Sequence, residues 1–594
     1  MIEQTTENVL EQYQKREHKF KKEVDLLNSR IRRSSLLRLS IFAATVGIAY
    51  FFFPIIEIYV PSLIVGFVVF IFLVLRHESL KRQRDLKKEI LLLNQIEIEV
   101  QNRDYSNLPT GIEFKDPTHY FSHDIDLFGI GSFFQFLNRT GTKSGKELLA
   151  NWMTSNDETE ILEKQEAVQE MSSQMDWRQE YTATAKLINT ELDHKTILDW
   201  IRNYQPFLPR SIRKLPVFFS LTSLLLIVSV SLGWIPFAIV TVWFFLGHGI
   251  SLIYLKKING LYSNADKAKS TFKQYHSLLA MIEKETFSSS LLKKEKQELQ
   301  TQGKSPSEVL KEFWRALDAL DQRNNLVFGI LGNGFLLWDI HQSLKIESWI
   351  KLHHIKTESW FRAIAYFDAI NSLSNYAFNY PKQVFPERQN STGIIQATNL
   401  GHPLISPASR IDNDFSIKNG EFVIVTGANM AGKSTFLRTI SLSIVMANLG
   451  LPVCADKFIY SPIKLITSMR TADSLADDSS YFYAEIKRLE FIVTEIKKDH
   501  YFIVLDEILK GTNSRDKAEG SKKFIRKLAD SGSTGLIATH DLSLCEIEKE
   551  YPQISNSHFN VEITKDELHF DYLLKEGVCH NMNASFLLRK LKII

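Results

Sequence analysis

The string Gly427-Ala428-Asn429-Met430-Ala431-Gly432-Lys433-Ser434-Thr435 places two glycines, a lysine and two hydroxyls at the spacing G-x-x-x-x-G-K-S. Glycines at those positions let the backbone curl so that successive N–H groups surround a phosphate. Lys433 can then reach the β- and γ-phosphates, and Ser434 can ligate Mg²⁺. Residues 421–426, E-F-V-I-V-T, read as a short β-branched strand entering the loop, and a helical stretch follows it. A second apolar run, 501–505, ends in Asp506-Glu507. Carboxylates at the end of a buried strand cost free energy unless they have a task. Beside a phosphate loop that task is for Asp506 to hold Mg²⁺ through water and for Glu507 to polarise the attacking water. A third strand, 534–539, ends in His540, where an imidazole can touch the γ-phosphate. The chemistry this predicts is Mg²⁺-dependent hydrolysis of ATP, with Lys433, Glu507 and His540 catalytic, Ser434 and Asp506 on the metal, and residues 427–435 around the nucleotide.

Those three strand ends need a parallel sheet to bring them together, and the rest of the chain must carry it. At 594 residues several domains are expected. Residues 39–56 and 58–75 each run for roughly 18 positions without a charge, about the minimum for a helix to cross a bilayer, with Glu57 between them. A further uncharged run, 215–255, has Gly233, Trp234 and Pro236 in its middle, where a tight turn between two spans would fall. Arg30, Arg32, Arg33 and Arg38 precede the first pair and Arg76, Lys81, Arg82 and Arg84 follow it. Arg210, Arg213 and Lys214 precede the second, with Lys256 and Lys257 after it. Positive flanks on every end predict two hairpins, about four spans, with all soluble segments cytoplasmic. Segments 86–100 and 275–299 mix Leu and Ile with Lys and Glu at helical spacing, and predict long amphipathic helices.

Composition excludes more than it identifies. The 71 basic and 68 acidic side chains leave a net charge of +3, so any DNA contact is a local patch. Three cysteines are too few for a disulfide framework or a four-ligand zinc site, which suits a reducing compartment. The polar, charge-rich first thirty residues predict a cytosolic helix in place of a signal peptide.

The loop also carries a resemblance. Residues 426–438, T-G-A-N-M-A-G-K-S-T-F-L-R, resemble the phosphate loop of the MutS DNA mismatch-repair family, T-G-P-N-M-x-G-K-S-T-x-x-R, in which Asn-Met inside the loop is unusual. Other matches follow in the family's order: G-H-P-L at 401–404, D-S-L-A at 473–476, Ser480-Tyr481-Phe482 with Glu485, D-E-I-L-K-G-T-N-S-R-D at 506–516, and A-T-H at 538–540. Upstream, F-L-N-R-T-G-T-K-S-G-K-E-L-L at 136–149 is similar to the opening of the family's core helical domain, and F-D-A-I at 367–370 to its close. The resemblance implies a dimer with each nucleotide sandwiched between one subunit's phosphate loop and Ser480 of the other. Tyr481 stands where the family usually has Thr, and Leu509-Lys510 where it usually has Gly-Arg, so trans contacts are expected to differ.

The expectation is a multidomain α and α/β protein: two transmembrane helical hairpins, a mostly helical core or lever domain, and a C-terminal P-loop ATPase of the ABC/MutS type. In residue numbers this predicts a basic cytosolic helix at 1–35, hairpins at 36–76 and 215–255, a helical linker at 77–120, core segments at 121–214 and 256–385, and the ATPase at 386–594. The family's mismatch wedge, a Phe-x-Glu on an N-terminal domain, has no room ahead of the first hairpin. Two functions remain open. One is a membrane-anchored homodimer that uses ATP to switch a clamp on double-stranded DNA, with basic segments 15–33 and 76–88 near phosphates. The other is an ATP-driven membrane- or protein-remodelling switch with no nucleic-acid role.

Overall fold

The computed structural model describes residues 6–187, 193–300, 303–389, 395–470, 481–509, 513–564 and 567–579. Two helices of 46 residues each, Thr6–Phe51 and Ile56–Gln101, form the first antiparallel pair. A helix of that length spans roughly 70 Å, more than twice the hydrocarbon core of a bilayer. Composition divides each in two. The apolar halves, meeting at the turn, are solvent-exposed (Leu39, Phe51, Ile64, Phe67 and Phe72 among them), whereas Tyr13, Phe20, Ile90, Leu93 and Val100 in the polar halves are buried. The turn falls at residues 52–55, around Pro54, rather than at Glu57. Glu57 sits instead in the first turn of the second helix, where a negative charge is favourable.

The polar halves dock on the core through a buried network. Arg139 Nε (2.5 Å), Asn375 Nδ2 (2.9 Å) and Asn379 Nδ2 (2.7 Å) all donate to the Glu97 carboxylate. Tyr13 Oη donates to Asn379 Oδ1 (2.7 Å). Removing one partner of such a buried pair strands the other charge and costs about 3–5 kcal/mol. The two upstream motifs also meet: Asp368 Oδ2 accepts from the Thr142 amide (2.7 Å) and hydroxyl (2.6 Å), fastening the start of helix Lys143–Thr154 to the central helix Trp338–Asn379.

The second pair is Leu215–Ser231 and Phe237–Lys284, with the turn at 232–236. Together with the first pair, these make four helices long and apolar enough to cross a membrane. The helix Phe237–Lys284 passes without a break from its exposed apolar start into the core, where Ile258, Leu261, Phe272, Leu278 and Ile282 are buried. The single helix expected at 275–299 is interrupted: it stops at Lys284 and resumes at Ser290–Gln297. Glu170 accounts for the break, since its carboxylate accepts the amides of Ser288 (2.5 Å) and Ser289 (2.7 Å) at the start of the new helix.

One apolar element had no sequence expectation. Leu326–Leu336 is an 11-residue helix, too short to span, with Leu326, Val327 and Leu331 exposed. It packs between the second pair: Ser223 Oγ donates to Phe335 O (2.7 Å), and a Cβ on Gly247 would lie 2.5 Å from Gly334 O. Only glycine permits that approach.

The strands are β1 (Glu387–Arg388), β2 (Ile395–Leu400), β3 (Asn413–Ile417), β4 (Phe422–Gly427), β5 (Lys457–Tyr460), β6 (Lys464–Ser468), β7 (Tyr501–Asp506), β8 (Thr534–Ala538), β9 (Ile554–Thr564) and β10 (Glu567–Glu576). The larger sheet has the order β10-β9-β4-β8-β7-β6, parallel except for the antiparallel edge β10. Strands β4, β8 and β7 lie side by side at its centre and are mostly apolar and buried along nearly their whole length, as a parallel sheet covered on both faces requires. A smaller sheet, β1-β5-β2-β3, lies on the same domain.

Candidate active site

Strands β4, β8 and β7 end next to each other, so their carboxyl ends deliver Gly427, Thr539-His540 and Asp506-Glu507 to one place. The loop after β4 turns through Gly427 (φ 147°) and Gly432 (φ 106°) and leads straight into helix Lys433–Asn448. A Cβ at Gly427 would come within 2.8 Å of the Phe559 carbonyl, which explains the glycine. Met430 takes a left-handed conformation (φ 66°) and is 80% exposed, while Ala431 beside it is buried. Asn429 and Thr435 are also exposed, on the rim.

Lys433 is buried, and its ammonium donates to the carbonyls of Gly427 (2.8 Å) and Ala428 (2.9 Å). Burial pushes its pKa down, opposed by Asp506 and Glu507. Ser434 Oγ donates to Asp506 Oδ2 at 2.6 Å. A hydroxyl and one carboxylate oxygen so close are the pair that Mg²⁺ takes from a protein when phosphates and water complete its octahedron. Among the described residues no group of three or more His, Cys, Asp or Glu could hold a metal.

Glu507 sits at φ 57°, a conformation rare for a non-glycine residue, and its amide donates to Ala538 O (2.9 Å), continuing the β7–β8 pairing one step past the strand. Its carboxylate accepts from Lys517 Nζ (2.8 Å), on helix Ser514–Asp530. Behind it, the buried Glu485 accepts the Leu509 amide (2.6 Å) and ties helix Tyr481–Glu495 to the turn. His540 is half-buried, and burial together with the Lys433 charge pulls its pKa down.

An open cavity of about 580 Å³ joins these groups: Asn429, Met430, Gly432, Lys433, Ser434, Thr435, Asp506, Glu507 and His540 all line it. Gly427, Ala428 and Ala431 build the loop beneath. Ser480 lies outside the described residues, as do 473–476 and 510–512.

The far end of the cavity was not assigned from sequence. It is formed by His402, Ile405, Arg410 and Ile411, from the connection between β2 and β3, and by Tyr572. Tyr572 reaches the loop because β10 is bulged between Phe570 and Leu574, and its ring approaches Gly432. Asn413 fixes the bulge, donating to Tyr572 O (3.1 Å) and accepting the Leu574 amide (2.7 Å). His402 is pushed down to about 4, first by burial and then by Arg438 and Arg410. The G-H-P-L string was the available signal, but it has no spacing that names a task.

The helical core reaches this site through residues 118–126. Asp126 pairs with Arg438 on the phosphate-loop helix (3.2 Å) and with both guanidinium nitrogens of Arg470, which leads out of the larger sheet beyond β6. Arg488 closes the same junction by donating to the carbonyls of His119, Tyr120 and Thr467.

The family model for MutS domain V matches residues 423–588. The chain is 31% identical over 221 residues to the DNA mismatch repair protein MutS of Thermotoga maritima, a match covering 36% of this chain and 27% of that protein. It is 31% identical over 211 residues to human MutS protein homolog 4, covering 34% and 22%, and 33% identical over 182 residues to MutS of Aquifex pyrophilus, covering 30% and 21%. The matched part is thus about a quarter of each relative's length.

Proposed function

We propose, from the match of residues 423–588 to MutS domain V, that the chain is a membrane-anchored, Mg²⁺-dependent ATPase of the MutS family that works as a homodimer on double-stranded DNA at the cytoplasmic membrane surface. The observation that carries the ATPase reading is the convergence of Lys433, Ser434, Asp506, Glu507 and His540 on one cavity. On ATP binding, the Lys433 ammonium exchanges its two loop carbonyls for β- and γ-phosphate oxygens. Ser434 and Asp506 would hold Mg²⁺, which would supply positive charge against the charge that develops on the phosphates. Glu507 leaves Lys517 to orient and deprotonate the attacking water, and His540 donates a hydrogen bond to the γ-phosphate. The base end of the nucleotide lies against Tyr572, His402 and Ile405. Ser480 of one subunit reaches the nucleotide of the other.

DNA comes from the relatives, whose names are those of mismatch-repair proteins. One observation favours the second reading, an ATP-driven switch acting on a membrane or protein partner: helix Phe237–Lys284 links an apolar hairpin to the core without a joint, so motion of one is motion of the other. Binding of a labelled duplex by the detergent-solubilised Glu507→Gln protein separates the two. ATP-dependent, salt-sensitive binding supports the DNA reading. No binding at low salt, with nucleotide bound, rejects it in favour of the second.

A further inference from the structure

Outside the nucleotide site, the structure has a second large, open cavity, about 730 Å³, between helix Pro306–Asp321 and the first turns of helix Trp338–Asn379. Its floor is apolar, built on buried Phe313 and Ala316 and on Trp349, which stacks on Phe313 with ring centroids 3.9 Å apart. Its rim is cationic: Arg213, Arg315 and Lys345 all line it and are exposed. No carboxylate pairs with any of the three among the described residues. The one acidic lining residue, Glu312, is engaged by Lys304. Three like charges gathered over an apolar floor repel one another, and an anion with an apolar body relieves both features at once.

The position in the chain says where such a ligand would come from. Arg213 lies two residues ahead of the apolar helix Leu215–Ser231. Trp338, whose Nε1 donates to Ala319 O (2.7 Å), comes two residues after the short apolar helix Leu326–Leu336, which is packed against the second hairpin with one face exposed. Cationic and Trp side chains at the ends of apolar helices mark the level of lipid headgroups. The cavity is therefore at the edge of the cytoplasmic leaflet, a placement that rests on the membrane-spanning reading above.

We propose that this cavity binds an anionic phospholipid, its phosphate-bearing headgroup held by Arg213, Arg315 and Lys345 and its acyl chains lying along the exposed face of Leu326–Leu336. Anionic lipid would then brace the second hairpin against the long helix that ends at the ATPase.

The test uses the full chain in detergent. Binding of short-chain phosphatidylglycerol, of phosphatidylcholine with the same chains, and of inorganic phosphate is measured by calorimetry for the wild type and for the triple variant Arg213→Gln, Arg315→Gln, Lys345→Gln. These three side chains are exposed, so the variant keeps its packing. Phosphatidylglycerol is expected to bind the wild type at least roughly tenfold more tightly than phosphatidylcholine, a preference the triple variant loses. Equal affinity for the two lipids, or a preference that survives the triple substitution, would overturn the proposal. Inorganic phosphate binding as tightly as phosphatidylglycerol would reassign the cavity to free phosphate and overturn the lipid assignment. Carbonate extraction of membranes, run alongside, separates the premises. Wild type washed off the membrane sinks the spanning reading and this site with it, whereas retention with no headgroup preference sinks this site alone.

Discussion

The two ends of the nucleotide cavity are built in different ways. The phosphate end comes from three short strings, each at the end of one central strand, and its groups are polar, buried or half-buried, and hydrogen-bonded: Lys433 to loop carbonyls, Ser434 to Asp506, Glu507 to Lys517. The other end is assembled from the β2–β3 connection and a bulge in an edge strand, with rings and partly exposed side chains. A charged, internally bonded end suits the stabilisation of a transition state, and an end of rings and partly exposed side chains suits ground-state binding. Substitutions at the first should therefore lower kcat or remove a phosphate contact needed for binding, and those at the second should act on KM alone.

The largest effect should follow Glu507→Gln. Loss of the general base is expected to lower kcat by about 10²–10⁴-fold while nucleotide binding persists. Phosphate release and binding of a fluorescent ATP analogue, measured on the same preparation, check both halves. Next is Lys433→Ala, expected to weaken ATP affinity by about tenfold or more through loss of a charge-assisted contact. An affinity within twofold of wild type would show that the lysine stays on Gly427 and Ala428. Tyr572→Ala, at the far end, should raise KM several-fold and leave kcat within about twofold, as expected when only uniform binding is removed. A drop in kcat equal to that of a phosphate-end variant would erase the distinction between the two ends. Smallest is a pH effect. His402 and His540 both have folded-state pKa values below the ordinary 6.5, so the folded state resists protonation. Stability is in full force above pH 6.5 and falls as pH drops through 6.5, for His402 toward about 4. In melting curves from pH 7 to 4, His402→Asn should flatten that decline, and an unchanged slope would place the lost stability elsewhere.

What the sequence made legible follows the same division. Lys433, Ser434, Asp506, Glu507 and His540 could be read because each strand-end motif is contiguous and its chemistry demands particular residue types. Parallel β4, β8 and β7 then bring three separated strings together. Lys517 was invisible because a lysine next to Asp516 on a charged helix has many equivalent readings, and only the fold turns it onto Glu507. Tyr572 depends on a bulge, and a bulge has no signature in a single strand. The four long apolar helices were legible from charge-free length, whereas Leu326–Leu336 was passed over because eleven residues cannot span and its glycines look like breakers. Those glycines are interfaces: a Cβ on Gly334 would lie 2.1 Å from the Phe244 ring. Ser480 lies outside the described residues, and its role across a dimer remains a proposal.

Steady-state phosphate release by the purified full chain, with magnesium and with the metal chelated, tests the central claim most directly. Expected is ATP hydrolysis that requires magnesium and disappears in Glu507→Gln while bound nucleotide is retained. Hydrolysis that persists at the wild-type rate in Glu507→Gln, or a folded protein that neither retains nor splits ATP when magnesium is supplied, would contradict it.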